Sequence, residues 1–421
     1  MFSLVKIAKL LELPPCRHLP ISEFGIDSRC IAKGGVFFAL PGERTDGHVF
    51  LEEVANKGAF AAVVSKTYEG PDFGLVLLYV DDVLESLQTL AKLILEERKT
   101  KIIGITGSVG KTTTKEFIFH ILSKKFKIHK NPRSFNSQRT LPLVILNAKG
   151  DEDYLLLEMS MSEKGQIAKL VEIAKPSIVV VTPIAYCHAE NFESLEEIGK
   201  AKAEVFTSSC EFAVIHYQSI KLQPIEDACI CEHVIYPGFL PVKSPFVESH
   251  FTENFAAAFE VAKYLGLTDR EIENRLIGLK PFNQRFEKKN IQGITFIDDT
   301  YNANPTSMIA ALMNLPAPTE NGKKIAVLGD MGELGQFSFS SHMEVGKVAL
   351  NHVDELFCIG KECRPMVDVF EKANKVVCFF SDYQKLKEAV KKRAEIGDVV
   401  LVKGSNYHKL WEIFDFMGEK S

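Results

Sequence analysis

Gly107, Gly110, Lys111 and Thr112, within KIIGITGSVGKTTTKEF (101–117), have the types and spacing to hold a phosphate. Glycines permit a tight backbone bend that turns amide N–H groups inward. A lysine directly after the second glycine can reach terminal phosphates, and the threonine hydroxyl that follows is an oxygen donor suited to Mg²⁺. The spacing departs from the common G-x-x-x-x-G-K-[ST] pattern, because Ile105 stands five residues before Gly110. An ordinary turn with a solvated lysine is the competing account. Context decides between them. Lys101–Thr106 reads as a short apolar strand, and Phe117, Ile118, Ile121 and Leu122 recur at helical spacing beyond the turn. Strand, glycine turn and helix aim free N–H groups at an anion. The stretch Gly107, Ser108, Val109, Gly110, Lys111, Thr112 and Thr113 is therefore read as a phosphate loop.

Other residues of chemical type say less by themselves. Glu158 ends an apolar strand, a natural place for a ligand in an open α/β sheet, and equally a place for a capping or paired glutamate. His188 follows the strand SIVVVTPI, where a lone histidine is most often structural. Lys202 stands in GKAKAEVF, a charged helix whose lysines are ordinarily solvated. A helix-surface amide is the competing account of Asn254, and NANP reads as a turn with Pro305 opening a helix.

The elements that must position these groups follow from the rest of the chain. Its 421 residues suit two or three domains. Residues 1–98 mix short strands (GGVFFALPG, GAFAAVVS) with helices, including DDVLESLQTLAKLILEE. From Lys101, apolar strands alternate with helices, and the continuous runs YLLLEMS, SIVVVTPI and EFAVIHY suit parallel strands buried on both faces. A helix around HFTENFAAAFEVAKYLG closes this region, and residues 279–294 read as a turn and linker. A further α/β unit of doubly wound type follows, from ITFIDD through KIAVLGD and ELFCIG to DVVLVKGS. The fold class is α/β.

Net charge is −5 with both signs interspersed, which argues against a nucleic-acid partner. No apolar run of about 18 residues suggests a membrane span. MFSLVKIAKLLELPP, broken by Lys6 and Lys9, reads as an amphipathic helix rather than a signal peptide. The nine cysteines are scattered, with one C-x-C (Cys229, Cys231) and no C-x-x-C. Buried free thiols in a reducing cytoplasm are expected, not a zinc site or a disulfide framework.

Several motifs together resemble the Mur ligases, the family that builds peptidoglycan precursors, over nearly the whole chain. DSR (27–29), FFALPGERTDGHVF (37–50) and GAFAAVV (58–64) are similar to that family's N-terminal, UDP-sugar-binding domain. GITGSVGKTTTKEF resembles its own phosphate loop, with Ser108 where threonine is common, which accounts for the unusual spacing. LLLEMSM, CHAENFESLEEIGKAKAEVF and HFTENFAAAF follow in the family's order. DDTYNANPTSM (298–308) and VLGDMGELG (327–335) resemble the branch that adds D-Ala-D-Ala.

The resemblance implies three domains: 1–98 for the UDP-MurNAc-peptide, a central ATP-binding phosphate-loop domain at 99–284, and a Rossmann-like domain at 285–421. It implies an ATP-dependent ligase that joins D-Ala-D-Ala to UDP-MurNAc-tripeptide through an acyl phosphate, as a cytoplasmic monomer. Thr112 and Glu158 would hold Mg²⁺ between the β- and γ-phosphates, and His188 would bind a second Mg²⁺. Lys202 would carry a CO₂-derived carbamate, while Lys200, about 200° around the helix, points elsewhere. Asn254 would hydrogen-bond adenine, with Arg285 near the phosphates and Asp299, Asn302 and Asn304 meeting ATP from the C-terminal domain. Ser28, Arg29, Glu43, Arg44 and Thr45 would contact the UDP-sugar, and Asn136 the peptide-facing loop.

This chain departs from the family pattern at three further places. Phe251 replaces an asparagine of the usual H-N-x-x-N, Arg139-Thr140 replace Ile-Gly, and the arginine that commonly follows Lys403-Gly404-Ser405 is missing. The Asn-Pro-Arg run of the related tripeptide synthetases occurs here only at 131–133, in the wrong domain. Another Mur ligase, a folylpolyglutamate synthase and a nucleotide-binding switch or inactive paralogue are the alternatives. The N-terminal DSR…DGH region disfavours the folate enzyme, and the absence of an N-K-x-D motif disfavours a guanine-nucleotide switch.

Overall fold

Ile178–Val181 reads Ile-Val-Val-Val with every side chain buried, as a parallel strand covered on both faces requires. It belongs to a six-stranded, all-parallel sheet in a computed structural model that describes residues 2–42, 45–132, 134–187, 189–319 and 321–418. The strand order is Glu232–Tyr236, Phe212–His216, Ile178–Val181, Lys101–Thr106, Tyr154–Glu158 and Ile128–Lys130. The chain leaves Lys101–Thr106 toward one edge and Tyr154–Glu158 toward the other. Their carboxyl ends therefore open a crevice, where ligands of such sheets bind.

A second sheet lies N-terminal to this one. Phe24–Gly25, Val36–Phe38, Ala61–Ser65 and Val76–Val80 pair in parallel, in chain order. Helix Val83–Glu96, capped by Asp82, buries Leu87, Leu90, Ala91 and Ile94 in a core shared with Leu141–Leu146 of the central unit. Asn147 then mimics a strand edge: its Oδ1 accepts from Phe24 N and its Nδ2 donates to Phe24 O, both at 2.9 Å. The first helix is short, Leu4–Leu10, and Phe2–Ser3 before it pairs with Pro20–Ile21.

The third sheet runs Glu287–Ile291, Ile294–Asp298, Val399–Lys403, Lys324–Gly329, Glu355–Ile359 and Val376–Phe380. Its first pair is antiparallel and the rest parallel. Glu287–Ile291 corrects the expected linker at 279–294. The segment carries no apolar run, but Gln292 and Gly293, both at positive φ, make a two-residue hairpin turn. Its side chains alternate between half-buried and exposed, as on a charged edge strand. Val376–Phe380, although wholly apolar, and Glu232–Tyr236 are two further edge strands that the sequence reading did not single out.

The C-terminal unit is docked on the central one. Glu190 N donates to Glu333 O at 3.1 Å, the Tyr186 and Phe337 rings lie 4.5 Å apart, and Ser134 and Tyr301 join hydroxyls. None of the nine cysteines is in a disulfide, but only Cys187, Cys229, Cys358 and Cys363 are buried and Cys30 is exposed, so burial of the thiols holds in part. Among the described residues no helix is long and apolar enough to cross a membrane.

Candidate nucleotide site

The phosphate loop is shaped by the glycines singled out above. Gly107 has φ +139°, and a Cβ there would collide with the Thr182 hydroxyl. Gly110, at φ +83°, is the N-cap of helix Lys111–Leu122, and a Cβ on it would strike Asn254 Oδ1. No side chain caps this helix, so its first N–H groups face the crevice. Lys111 folds back over the loop, its Nζ donating to Gly107 O at 2.7 Å and Ser108 O at 3.2 Å.

Glu158 lies across from the loop. Its Oε2 accepts from Thr112 Oγ1 at 3.0 Å and its Oε1 from Asn136 Nδ2 at 2.8 Å. Behind it stand two residues that the sequence reading missed. Lys115, fully buried, places Nζ 3.6 Å from Glu158 Oε2 and donates to Asn131 O at 3.0 Å. Asn131 clamps the Glu158 backbone, accepting from its N at 2.6 Å and donating to its O at 3.2 Å. Burial holds the Lys115 ammonium below the usual lysine range, opposed by the charge of Glu158. The available signal was position: Lys115 sits one turn after Lys111, on the inward face with Ile118 and Leu122.

Lys202 is 2% exposed and donates to Gly107 O at 2.9 Å. Burial first, and the Lys111 charge second, push its pKa down to about 7. Lys200 faces solvent, as the helical geometry required. His188 lies outside the described residues, as do Glu43 and Arg44. Among the described residues no cluster of three or more histidine, cysteine, aspartate or glutamate side chains forms a metal cage.

Two cavities adjoin the loop. One, of about 260 Å³, is walled by the loop itself with Asn136, Glu158, Arg285, Asn302 and Asn304. The other, of about 150 Å³, is lined by Gly110, His216, His250, Asn254, Arg285 and Asp299 among others. Arg285 belongs to both. Its guanidinium sits 4.1 Å over the Tyr301 ring, and Nε is buried with no hydrogen-bond partner. Residues on either side of it, Gln284 and Phe286, hold positive φ of 59° and 53°. His250 Nδ1 and His216 Nε2 are likewise buried without hydrogen bonds, although Glu253 Oε2 lies 3.5 Å from the latter. Three unsatisfied nitrogens around one small cavity are the mark of a place meant for a polar ligand.

The C-terminal residues are partly committed to structure. Asp299 accepts from Phe286 N at 3.1 Å and pairs with buried Lys403 at 2.7 Å. Lys403 also donates to Asn302 O at 2.9 Å. Asn304 caps helix Pro305–Met313, its Oδ1 accepting from Ser307 N at 2.9 Å. The turn-and-cap reading of NANP therefore holds, and Asn302 and Asn304 face the larger cavity as well. Asn254 Oδ1 accepts from Thr114 at 3.2 Å, which sets the amide against the Gly110 bend. On the N-terminal unit, Ser28 donates to Glu53 at 2.9 Å and Arg29 forks onto Asp27 at 2.9 and 2.7 Å. Neither of these residues nor Thr45 lines the two cavities.

Family models match the chain in three consecutive pieces: Mur ligase family, catalytic domain, at 20–93; Mur ligase middle domain at 105–229; and Mur ligase, glutamate ligase domain, at 284–406. The UDP-N-acetylmuramoyl-tripeptide–D-alanyl-D-alanine ligase of Bacillus subtilis (strain 168) is 33% identical, with 96% of this chain and 94% of that enzyme aligned. The crystal structure of MurF ligase from Thermotoga maritima in complex with ADP matches with TM-score 0.78 and 28% identity, covering 94% and 97% of the two chains. MurF from Acinetobacter baumannii matches with TM-score 0.86 and 25% identity over 98% of each chain. A phosphate loop facing a clamped glutamate, under a docked third unit, thus sits in a chain that its relatives match almost from end to end, and the chain belongs to the Mur ligase family.

Proposed function

We propose that the protein is an ATP-dependent ligase that joins D-Ala-D-Ala to UDP-MurNAc-tripeptide in peptidoglycan precursor synthesis, acting in the cytoplasm. The observation that carries this is the larger cavity, where the phosphate loop and Glu158 of one unit meet Arg285, Asn302 and Asn304 at the start of the next. A cavity closed from two units suits a reaction in which water must be kept from an activated carboxyl.

The loop amides and Lys111 hold the ATP phosphates, while the base occupies the smaller cavity beside Asn254 and His250. The Thr112 hydroxyl and the Glu158 carboxylate, 3.0 Å apart, are hard oxygen donors that fit Mg²⁺. When bound there, that ion neutralises charge on the transferring phosphoryl group. Arg285 brings a buried, unsatisfied Nε to the same space. The γ-phosphoryl group passes to the peptide carboxylate, the dipeptide amine attacks the acyl phosphate, and phosphate leaves.

Lys202 suits carbamylation, because CO₂ combines with a neutral amine and a pKa of about 7 leaves much of this one unprotonated near neutrality. Its carbamate, with His188, would offer donors to a second Mg²⁺. The UDP-sugar belongs to the N-terminal unit, around Ser28, Arg29, Glu43, Arg44 and Thr45. In this reading the protein acts as a monomer.

The test is a panel of donors and acceptors with mass spectrometry of the product. A gain matching D-Ala-D-Ala on UDP-MurNAc-tripeptide, with ADP released, is the expected result, and ligation is lost in Lys111→Ala. Folate with glutamate as the productive pair, or ADP release unchanged in Lys111→Ala, would overturn the reading.

A further inference from the structure

Three of the nine scattered cysteines meet at one edge of the central sheet. Strands Phe212–His216 and Glu232–Tyr236 pair in parallel with Phe212 opposite Glu232, and helix Gln223–Ala228 lies in the crossover between them. Cys210 stands just before the first strand and Cys231 just before the second, while Cys229 is the C-cap of the helix. The Cys231 Sγ lies 3.1 Å from the Cys210 Sγ and 3.9 Å from the Cys229 Sγ. His216, at the carboxyl end of the first strand, lines the base cavity, so the thiols sit at the opposite end of the sheet from the nucleotide site.

The backbone fixes the three positions. Cys210 N donates to Thr207 O at 3.0 Å, Cys229 N to Ile225 O at 3.1 Å, and His233 Nδ1 meets Cys231 O at 3.2 Å. Cys229 is 8% exposed and belongs to a core with Ala213, Ile215 and Ile225, against which Cys210 and Cys231 pack half-buried. A small solute can therefore reach the Cys210–Cys231 pair from outside. Cys358 and Cys363 also interact, but both have 0% exposure, which closes them to solutes. Burial first, and the neighbouring Cys231 thiol second, raise the Cys210 and Cys229 thiols above the usual range, Cys229 to about 12. Neither offers a standing thiolate at neutral pH, so oxidation there is slower than at an activated cysteine.

We propose that Cys210 and Cys231 form an oxidation site, a dithiol that a peroxide converts to an intramolecular disulfide fastening the two strands at the sheet edge. The proposal is independent of the ligase reading. Cys231, half-exposed and in contact with both other thiols, reacts first. Its sulfur takes one peroxide oxygen as the O–O bond breaks, and the second oxygen leaves as water with the thiol proton. The Cys210 sulfur then attacks the sulfenic sulfur, the S–O bond breaks, and a second water carries off the Cys210 proton. Two thiols are oxidised by two electrons, and one peroxide is reduced to two waters. A bonded pair needs about 2.0 Å between sulfurs, so a side-chain movement of about 1 Å completes it. The closed loop contains the whole crossover helix, and closing it restricts the unfolded chain.

The experiment treats the full folded chain with hydrogen peroxide at neutral pH, blocks the remaining thiols with iodoacetamide, and maps the peptides by mass spectrometry without reductant. Expected is a peptide pair joined through Cys210 and Cys231, lost on treatment with dithiothreitol, while Cys229 is recovered alkylated. The oxidised protein should melt about 5 °C higher than the reduced one, and Cys210→Ser should show no such rise. Cys210 and Cys231 both alkylated under conditions that oxidise the exposed Cys30 overturn the proposal. So does a bridge through Cys229 instead, or a Cys231 that advances unpaired to sulfinic acid. Equimolar zinc in the untreated protein, with the three thiols blocked until a chelator removes it, would make the cluster a metal site and overturn it as well. A bridge that leaves the melting temperature unchanged overturns the fastening. The peptide map is read on the unaltered chain, so it decides even where Cys210→Ser fails to fold.

Discussion

Glu158 and Asp299 stand at corresponding places in two different sheets. Each lies at the carboxyl end of a parallel strand, and each faces a lysine with almost no exposure, Lys115 at 0% and Lys403 at 1%. Burial lowers both lysines while the facing carboxylate opposes the shift. The pairs differ in how tightly they close. Lys403 is 2.7 Å from Asp299, whose other oxygen accepts from Phe286 N, so that the acid is consumed in fastening the entry to the C-terminal unit. Lys115 stands off at 3.6 Å, and Glu158 keeps both oxygens on Thr112 and Asn136, toward the cavity. A buried ion pair can thus fasten two segments or leave its carboxylate facing a cavity, and distance together with the remaining partners decides which.

The comparison can be broken by exchanging the effects. Glu158→Gln should depress ligation by a factor on the order of 10³, in the range found when a preorganised charge-stabilising group is removed. Its melting temperature should fall less than that of the counterpart variant, because Lys115 keeps its bond to Asn131 O. Kinetics and calorimetry on the same preparation check both parts. Asp299→Asn should behave the opposite way. It strands Lys403 in the interior and costs about 3–5 kcal/mol, read by urea unfolding of the whole chain. Equal activity losses with no difference in stability would erase the distinction.

A smaller effect sharpens the contrast with a third buried lysine, Lys202, which has no carboxylate partner among the described residues. Its folded pKa of about 7 lies below the ordinary 10.5, so the unfolded chain binds the extra proton between those values. Its burial therefore weighs against folding most at low pH, and stability gains from this group as pH rises from about 7 toward 10.5. Depletion of CO₂ should lower ligation several-fold and bicarbonate should restore it, with ¹³C NMR of labelled protein reporting the carbamate. An unlabelled Lys202 in fully active protein would remove the modification from the mechanism.

Much of this was legible in the chain and some was not, for physical reasons. Gly107 and Gly110 announced themselves because positive φ is costly for other residues. Glu158 was visible as the acid ending an apolar strand. Lys115, Lys403 and Asn131 were hidden, since a lysine on a helix or strand end is ordinarily solvated and only packing from distant segments buries it. Edge strands such as Glu287–Ile291 lacked the apolar run that betrays a buried strand, and their pairing depended on a turn. The double use of Asn304, as a helix cap and on a cavity wall, follows from where the third unit docks.

Arg285 has one more consequence. The backbone twists into the left-handed region immediately before and after it, at the point where one unit gives way to the next. Those twists throw its side chain into both cavities at once. On the proposed reading, a nucleotide that grips this arginine would pull on the joint itself, so that filling the pocket and setting the pose of the last unit would be a single mechanical event.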